Sequence, residues 1–194
     1  MSSPVAVEGP RRQLMGRNPE MVERLLDAAV SAVADAGYDG LTVRHVARAA
    51  GVSPATAYTY FASKEHLLAA VFWRRLVDLP PPQHAKRATL AQRVEDVVTP
   101  IALLVADEPE LAAGVTTALL AHDPDVRALR DQIARVIGER FMEALGPDAP
   151  PAAQLGLSMA LTGGLLSSGM GMFDYREVGP MLGSLAGLLS GRKR

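Results

Sequence analysis

Apolar residues recur every three or four positions along most of this chain of 194 residues, which is the period of an amphipathic helix. Gly and Pro mark the ends of the periodic segments, and no segment of strand length alternates with a period of two. The sequence therefore predicts an all-α fold. The predicted helices cover approximately residues 19–37, 42–51, 53–61, 64–77, 88–106, 109–121, 124–145, 152–173 and 178–190.

Two short helices joined by a tight turn at Gly51 are predicted between Leu41 and Leu68. This arrangement is typical of a helix-turn-helix, whose second helix enters the major groove of DNA. On that helix, Ala57 and Phe61 are four positions apart and are expected to face inward. The positions expected to face largely outward are Pro54, Ala55, Thr56, Tyr58, Thr59 and Tyr60. Their hydroxyls can reach phosphate oxygens, and threonine can also contact base edges and the thymine methyl.

Positive side chains near this segment extend the predicted DNA surface. Lys64 follows Ser63, a residue typical of helix N-caps, so it combines a cation with the free backbone donors of a helix start. The second helix of the motif contains no Arg, Lys, Asn or Gln, the usual residues for bidentate base contacts. We therefore expect operator discrimination to depend on methyl contacts, water and DNA shape, assisted by Arg44 or Arg48 of the preceding helix.

Residues 52–65 resemble the signature of the tetracycline repressor (TetR) family, and Gly37-Tyr38 and residues 41–47 fit the same pattern. The resemblance extends over about residues 19–75. It implies a homodimer of nine or ten helices: three bind DNA, the fourth is a linker, and the later ones form a ligand pocket and a dimer interface. It also implies packing at Ala57 and Phe61. The positions that match common DNA contacts of the family are Thr42, Arg44, Ser53, Thr56, Tyr58, Thr59, Tyr60 and Lys64.

These elements divide the chain into a flexible basic arm (1–18), a helix-turn-helix DNA-binding domain (19–64) and a helical ligand-binding and dimerisation domain (65–194). Contact with DNA and a solvated tail are alternative interpretations of the arm, whose cations are Arg11, Arg12 and Arg17. Residues 1–75 contain nine Lys or Arg and seven Asp or Glu, whereas the whole chain has a net charge of −1. This mild asymmetry permits an N-terminal DNA-binding domain without indicating one.

Composition narrows the class of protein. The absence of Cys excludes disulfides and thiolate metal sites, and the N-terminus lacks the apolar run of a secretory signal, so we expect a cytoplasmic protein. Asp123 and Asp125 form only a weak carboxylate cluster, and no phosphate-binding glycine loop, nucleophile elbow or HExxH helix occurs. The histidines lack the spacing of metal ligands: His45, His66, His84 and His122. We therefore expect neither enzyme activity nor a metal or other cofactor.

A proline inside the fifth predicted helix indicates where a ligand pocket is expected. Pro100 removes a backbone hydrogen bond and kinks or splits that helix, and kinks open cavities between helices. The candidate pocket walls, for each of which plain core packing is the alternative, are Trp73, Val98, Ile101, Leu104, Phe141, Met142 and Met159. Few buried charges are available to pair an ionic ligand, so we expect a small apolar effector.

Residues 149–173 carry no charge and are numerous enough to span a bilayer. Their many glycines and serines favour instead a buried interface helix, because small residues let helices approach closely. The last predicted helix presents an apolar face formed by Met181, Leu182, Leu185, Leu188 and Leu189. Together these two helices predict a homodimer without membrane contact, which would bind a roughly palindromic operator.

The sequence thus predicts a transcriptional repressor that binds double-stranded operator DNA and is released by a small apolar ligand through a population shift. Two alternatives stay open: a helical DNA-binding protein with no effector, and an enzyme that uses a C-terminal pocket. Failure of any small molecule to alter DNA binding would favour the first. Turnover that survives mutation of both Tyr58 and Lys64 would indicate the second.

Overall fold

The computed structural model describes residues 18–190, so the arm with Arg11, Arg12 and Arg17 lies outside the described residues, as does the side chain of Leu189. Over the described range the chain forms helices and no strand, which confirms the all-α prediction. The helices are α1 (Pro19–Gly40), α2 (Val43–Ala49), α3 (Pro54–Tyr60), α4 (Lys64–Asp78), α5 (Leu90–Ala102), α6 (Pro109–Leu120), α7 (Pro124–Leu145), α8 (Pro151–Gly169) and α9 (Tyr175–Ser190).

The first four helices begin where N-cap residues occur in the sequence. The Asn18 and Thr42 side chains accept hydrogen bonds from the backbone N–H groups three residues on, at 3.2 and 3.0 Å. Ser53 and Ser63 do the same at 3.1 and 3.0 Å. Each bond satisfies a backbone donor that has no partner inside the helix, so these predicted starts are confirmed.

The head of the molecule consists of α1, α2 and α3 packed around a small core. Leu25, Val46, Ala57 and Phe61 are fully buried there. Regular helix in α1 is broken at Gly37, whose φ of 65° and ψ of 178° are suited to glycine. Gly51, with a φ of 67°, forms the turn between α2 and α3. Both glycines lie at the turns expected from the sequence.

The bundle behind the head is organised around α4, which contacts α1, α6 and α7. Among the described helices, α5 and α9 make the most extensive contact. A Cβ at Gly179 of α9 would collide with Thr99 of α5, and one at Gly183 would lie 2.8 Å from the carbonyl oxygen of Ala91. Glycine at these positions therefore lets the two helix backbones approach closely.

Three helix ends in the bundle differ from the expected ones. The helix with Pro100 was expected to reach Ala106 but stops at Ala102, so the proline lies in its last turn rather than at a kink in its middle. Similarly, α8 ends at Gly169 and not at Phe173, and α9 begins at Tyr175. Within residues 18–190, no helix is both long and apolar enough to cross a membrane.

Candidate DNA-binding surface and ligand cavity

The outward face of α3 is formed by short and aromatic side chains. Pro54, Ala55, Tyr58 and Thr59 are exposed, and Tyr58 retains 47% of its accessible surface. Thr56 is half-buried.

Tyr60 departs from the expected orientation. It is half-buried and packs against the core, whereas the sequence predicted it to face largely outward. The physical reason is its position three residues after Ala57, which places it on the inward side of the helix.

Local hydrogen bonds already engage most hydroxyls of this face. The Ser53 and Thr56 hydroxyl oxygens lie 2.8 Å apart, and the Thr59 hydroxyl donates to the Ala55 carbonyl at 3.0 Å. Among the described residues, the Tyr58 hydroxyl has no such partner, so its donor is available for a phosphate oxygen.

The helix before the turn, which packs against α3, carries two exposed cations. They are Arg44 and Arg48 of α2. Thr42 is exposed as well, but its hydroxyl oxygen is occupied in capping α2. Exposed guanidinium groups beside α3 are suited to phosphate or base-edge contacts.

Lys64 connects two helices instead of projecting freely. Its ammonium donates to the Tyr38 carbonyl at 2.8 Å and lies 3.9 Å from the centre of the Tyr38 ring. The Tyr38 hydroxyl in turn donates to the Glu65 carboxylate at 2.6 Å. Burial, the hydrogen bond to Glu65 and the negative charge of Glu65 together raise the pKa of Tyr38 to about 12. The two motif residues Lys64 and Glu65 thus hold the end of α1 against the start of α4, and phosphate contact at Lys64 stays a prediction.

A polar junction joins the head to the bundle immediately after α3. The Ser63 hydroxyl, which caps α4, donates to Oδ2 of Asp123 at 2.7 Å. Oδ1 of Asp123 caps α7 by accepting from the backbone N–H groups of Asp125 and Val126 at 2.8 and 3.3 Å. Burial works against ionisation of Asp123, but these hydrogen bonds outweigh it and lower its pKa. The carboxylate identified in the sequence as part of a weak cluster is therefore a structural link between α4 and α7.

His66 completes this junction. It is buried, its ring meets Phe61 edge to face at 5.4 Å between centroids, and its Nδ1 accepts from the Ala62 backbone N–H at 3.4 Å. Burial lowers its pKa, and the nearby charges of Asp125 and Asp123 oppose that shift only in part. Within residues 18–190, no group of three His, Asp or Glu side chains is arranged to hold a metal ion.

An apolar cavity of about 400 Å³ lies between α4, α6, α7 and α8. Its volume is at the lower end of the range for small-molecule sites. Four polar side chains line it: Thr116, Arg130, Ser158 and Thr162. The apolar lining residues are Phe72, Leu119, Leu120, Ile133, Ala134, Ile137, Leu161, Leu165 and Leu166.

The residues proposed from sequence as pocket walls lie outside this cavity. Leu104 follows the end of α5 and is half-buried, while Met142 and Met159 are exposed. Those that belong to the buried core are Trp73, Val98, Ile101 and Phe141. Pro100 itself lines a separate, more open hollow of about 810 Å³, whose wall also includes Asp96 and Arg140. Ligand contact at the seven sequence candidates stays a prediction.

Sequence reasoning missed Arg130, although a signal for it exists. On α7, residues Val126, Ile133 and Ile137 are buried, and Arg130 lies on the same stripe at helical spacing. Charged side chains are rarely buried without a partner, so an arginine on an otherwise apolar stripe indicates a polar partner or a ligand.

An apolar face of α8 and α9 has no covering element in the described chain. Its large exposed side chains are Leu155, Met159, Met181, Leu185 and Leu188. Gly156 and Gly163 lie on the same part of α8, and a Cβ at either position would meet no atom within 4 Å. Leu182, which was expected on this face, is buried.

Comparisons with known proteins agree with this arrangement. Residues 25–71 match the model of bacterial regulatory proteins of the tetR family. An HTH-type transcriptional regulator of Mycobacterium tuberculosis is 41% identical over 97% of this chain and 94% of its own length. The HTH-type transcriptional repressor KstR of Rhodococcus jostii is 28% identical over 77% of this chain and 71% of KstR.

A solved structure shares the fold. The regulator FadR from Bacillus subtilis, in complex with stearoyl-CoA, superposes with a TM-score of 0.63 at 20% identity, covering 84% of this chain and 96% of FadR. The helix-turn-helix head, the helical bundle and the similarity along nearly the whole sequence together show that the protein belongs to the TetR family of bacterial transcriptional regulators.

Proposed function

We propose that the protein is a transcriptional repressor that binds a two-fold symmetric operator as a homodimer and is released by a small apolar ligand. DNA binding is supported above all by the exposed face of α3, where the Tyr58 hydroxyl has no partner among the described residues. The helix packed against it, α2, carries the exposed Arg44. KstR, which is similar to this protein over 77% of the chain, is named as a repressor. This supports repression rather than activation here.

Dimerisation through α8 and α9 is supported by two exposed helical glycines. Glycine inside a helix costs about 1 kcal/mol relative to alanine. Gly156 and Gly163 incur that cost although nothing in the described chain packs against them. Close approach of a second α8, together with burial of Met159 and Leu185, would account for both features.

The apolar cavity supports a ligand with a hydrocarbon body. FadR, which shares the fold, binds stearoyl-CoA, and a ligand with an acyl chain suits the cavity walls here. A ligand that prefers a conformation with the two heads misplaced would lower operator affinity in proportion to that preference. The described lining of the cavity is mainly apolar, which suits binding of a ligand, and the relatives are transcriptional regulators, so we infer a binding site rather than a catalytic one. The proposed function also places the protein in the cytoplasm, with the chromosome.

Binding to the duplex upstream of its own coding sequence, titrated with salt, tests this proposal. We expect tight binding with a steep salt dependence, and about a fivefold loss in Tyr58→Phe, which removes one phosphate donor. Tyr175→Phe is the matched control, because the buried Tyr175 hydroxyl has no partner among the described residues. If the unchanged protein and its variants bound the upstream duplex no more tightly than a random duplex, the proposal would be contradicted for this operator.

A further inference from the structure

Arg130 is the only cation in the wall of the apolar cavity formed by the described residues. One guanidinium nitrogen of this half-buried side chain donates to the carbonyls of Leu119 and Ala121, at 2.8 and 2.9 Å. No carboxylate of the described chain pairs with it, in contrast to Arg74, which contacts two, and Arg75, which contacts one. A guanidinium has five N–H donors, so Arg130 retains donors beyond the two carbonyl contacts.

We propose that Arg130 binds an anionic group, so that the ligand is a hydrocarbon chain that ends in an acid. This inference rests on the proposed function, because it assigns the polar end of the ligand in the same cavity. A charge-assisted hydrogen bond beside an apolar wall is stronger than one in water, and the planar fork suits a carboxylate or a phosphate. A neutral hydrocarbon would leave this cation without a counter-ion.

The contacts of Arg130 also link the cavity to the DNA-binding head. Leu119 and Ala121 belong to the end of α6, and Asp123, two residues later, bonds to Ser63. An acid bound to the remaining donors draws the Arg130 guanidinium toward the cavity and so weakens its hold on the two carbonyls. The turn that carries Asp123 can then shift. The Ser63–Asp123 hydrogen bond transmits this shift to Ser63, three residues after the end of α3.

The anionic end can come from a free carboxylate or from the phosphates of an acyl-CoA, and the two sources share the same contact. Dodecanoate and dodecan-1-ol differ only in that end, and dodecanoyl-CoA adds the phosphates. Isothermal titration calorimetry measures the affinity for each compound directly.

We expect dodecanoate to bind at least about tenfold more tightly than dodecan-1-ol. Arg130→Gln should reduce this preference to less than about threefold, while Arg130→Lys keeps the charge and most of the preference. Arg127→Gln, an exposed arginine of the same helix, is the matched control and should behave as the unchanged protein. A dodecanoyl-CoA preference that depends on Arg130 supports the proposal with phosphate as the source.

Three results would overturn the proposal, and they separate the role of Arg130 from the acyl ligand itself. Equal binding of the acid and the alcohol refutes the role of Arg130, and so does a preference for the acid that is unchanged in Arg130→Gln. Neither result contradicts the proposed function, in which an apolar ligand binds in the cavity. Binding of none of the three compounds refutes the acyl ligand itself and this inference with it.

Discussion

Ser63 and Asp123, sixty positions apart in the sequence, share a hydrogen bond of 2.7 Å, and each is also the N-cap of its own helix. Ser63 begins α4 three residues after the last residue of α3. Asp123 begins α7, which carries Arg130 and Ile133 in the wall of the cavity. The orientation of the DNA-binding head is therefore tied to the helix that a ligand would contact.

Asp123→Ser tests this connection. Serine is as good an N-cap as aspartate, so α7 keeps its cap, but the shorter side chain does not reach Ser63. We expect operator affinity to fall by about fivefold, the equivalent of one lost hydrogen bond of about 1 kcal/mol. Fluorescence anisotropy with a labelled operator duplex measures the change.

The control for this variant is Thr89→Ser, which exchanges the N-cap of α5 without touching the head. We expect operator binding of the control to match that of the unchanged protein. Equal affinity of Asp123→Ser and the control would show that the Ser63–Asp123 bond does not position α3.

Burial of Tyr38 and its hydrogen bond to Glu65 predict that the protein loses stability in alkali. Since the folded pKa of Tyr38 is raised from 10 to about 12, the stabilisation is complete below pH 10 and is lost as the pH rises through 12. Tyr38→Phe removes this titration, so the free energies of unfolding of the two proteins should converge as the pH rises. Denaturant unfolding at several pH values measures it, and a constant difference between the two proteins would refute the assignment.

The lowered pKa of His66 predicts that the protein also loses stability in mild acid. Burial lowers its folded pKa below the ordinary 6.5, so the stabilisation is present above pH 6.5 and is lost as the pH falls through the folded pKa. Protonation of Nδ1 also removes the acceptor for the Ala62 backbone N–H. We expect both unfolding free energy and operator affinity to fall below pH 6.5, and His66→Gln to flatten both profiles.

The exposed His122 supplies the comparison for that experiment. His122→Gln should retain the acid dependence of the unchanged protein. If it flattened the profiles as much as His66→Gln does, the dependence would not originate at the junction.

Gly163→Trp tests the proposed dimer face. A side chain at Gly163 meets no atom of the described chain, so the protomer should fold with unchanged or higher stability. We expect the substitution to convert a dimer into a monomer in sedimentation velocity, because an indole ring prevents close approach of a second α8. Ala113→Trp, on the exposed side of α6, should stay dimeric. A Gly163→Trp dimer as tight as the original would place the interface elsewhere.

Local signals in the sequence were sufficient to predict the helix starts and the turn of the DNA-binding head. Asn18, Thr42, Ser53 and Ser63 cap helices by contacts within three residues, so their roles follow from residue type and position alone. The turn at Gly51 is equally local. These elements could therefore be predicted with their starts nearly at the correct residue.

The cavity and the junction depend on contacts between distant segments, which periodicity does not specify. Phosphate contact at Lys64 stays a prediction, and nothing in the sequence indicated its hydrogen bond to the Tyr38 carbonyl, twenty-six positions away. Met159 has the same apolar character as a core residue, yet 67% of its surface is exposed on α8. Which apolar face meets which helix is settled by packing of the whole bundle.

Selection of bound sequences from a random pool of duplex DNA tests the central claim most directly. A homodimer with two α3 helices is expected to enrich a two-fold symmetric sequence whose half-sites are about one helical turn apart. Substituting Arg44 and Tyr58 together should abolish that enrichment, because both lie on the proposed DNA surface. If the unchanged protein enriched no sequence over the starting pool, the account of this protein as an operator-binding repressor would be contradicted.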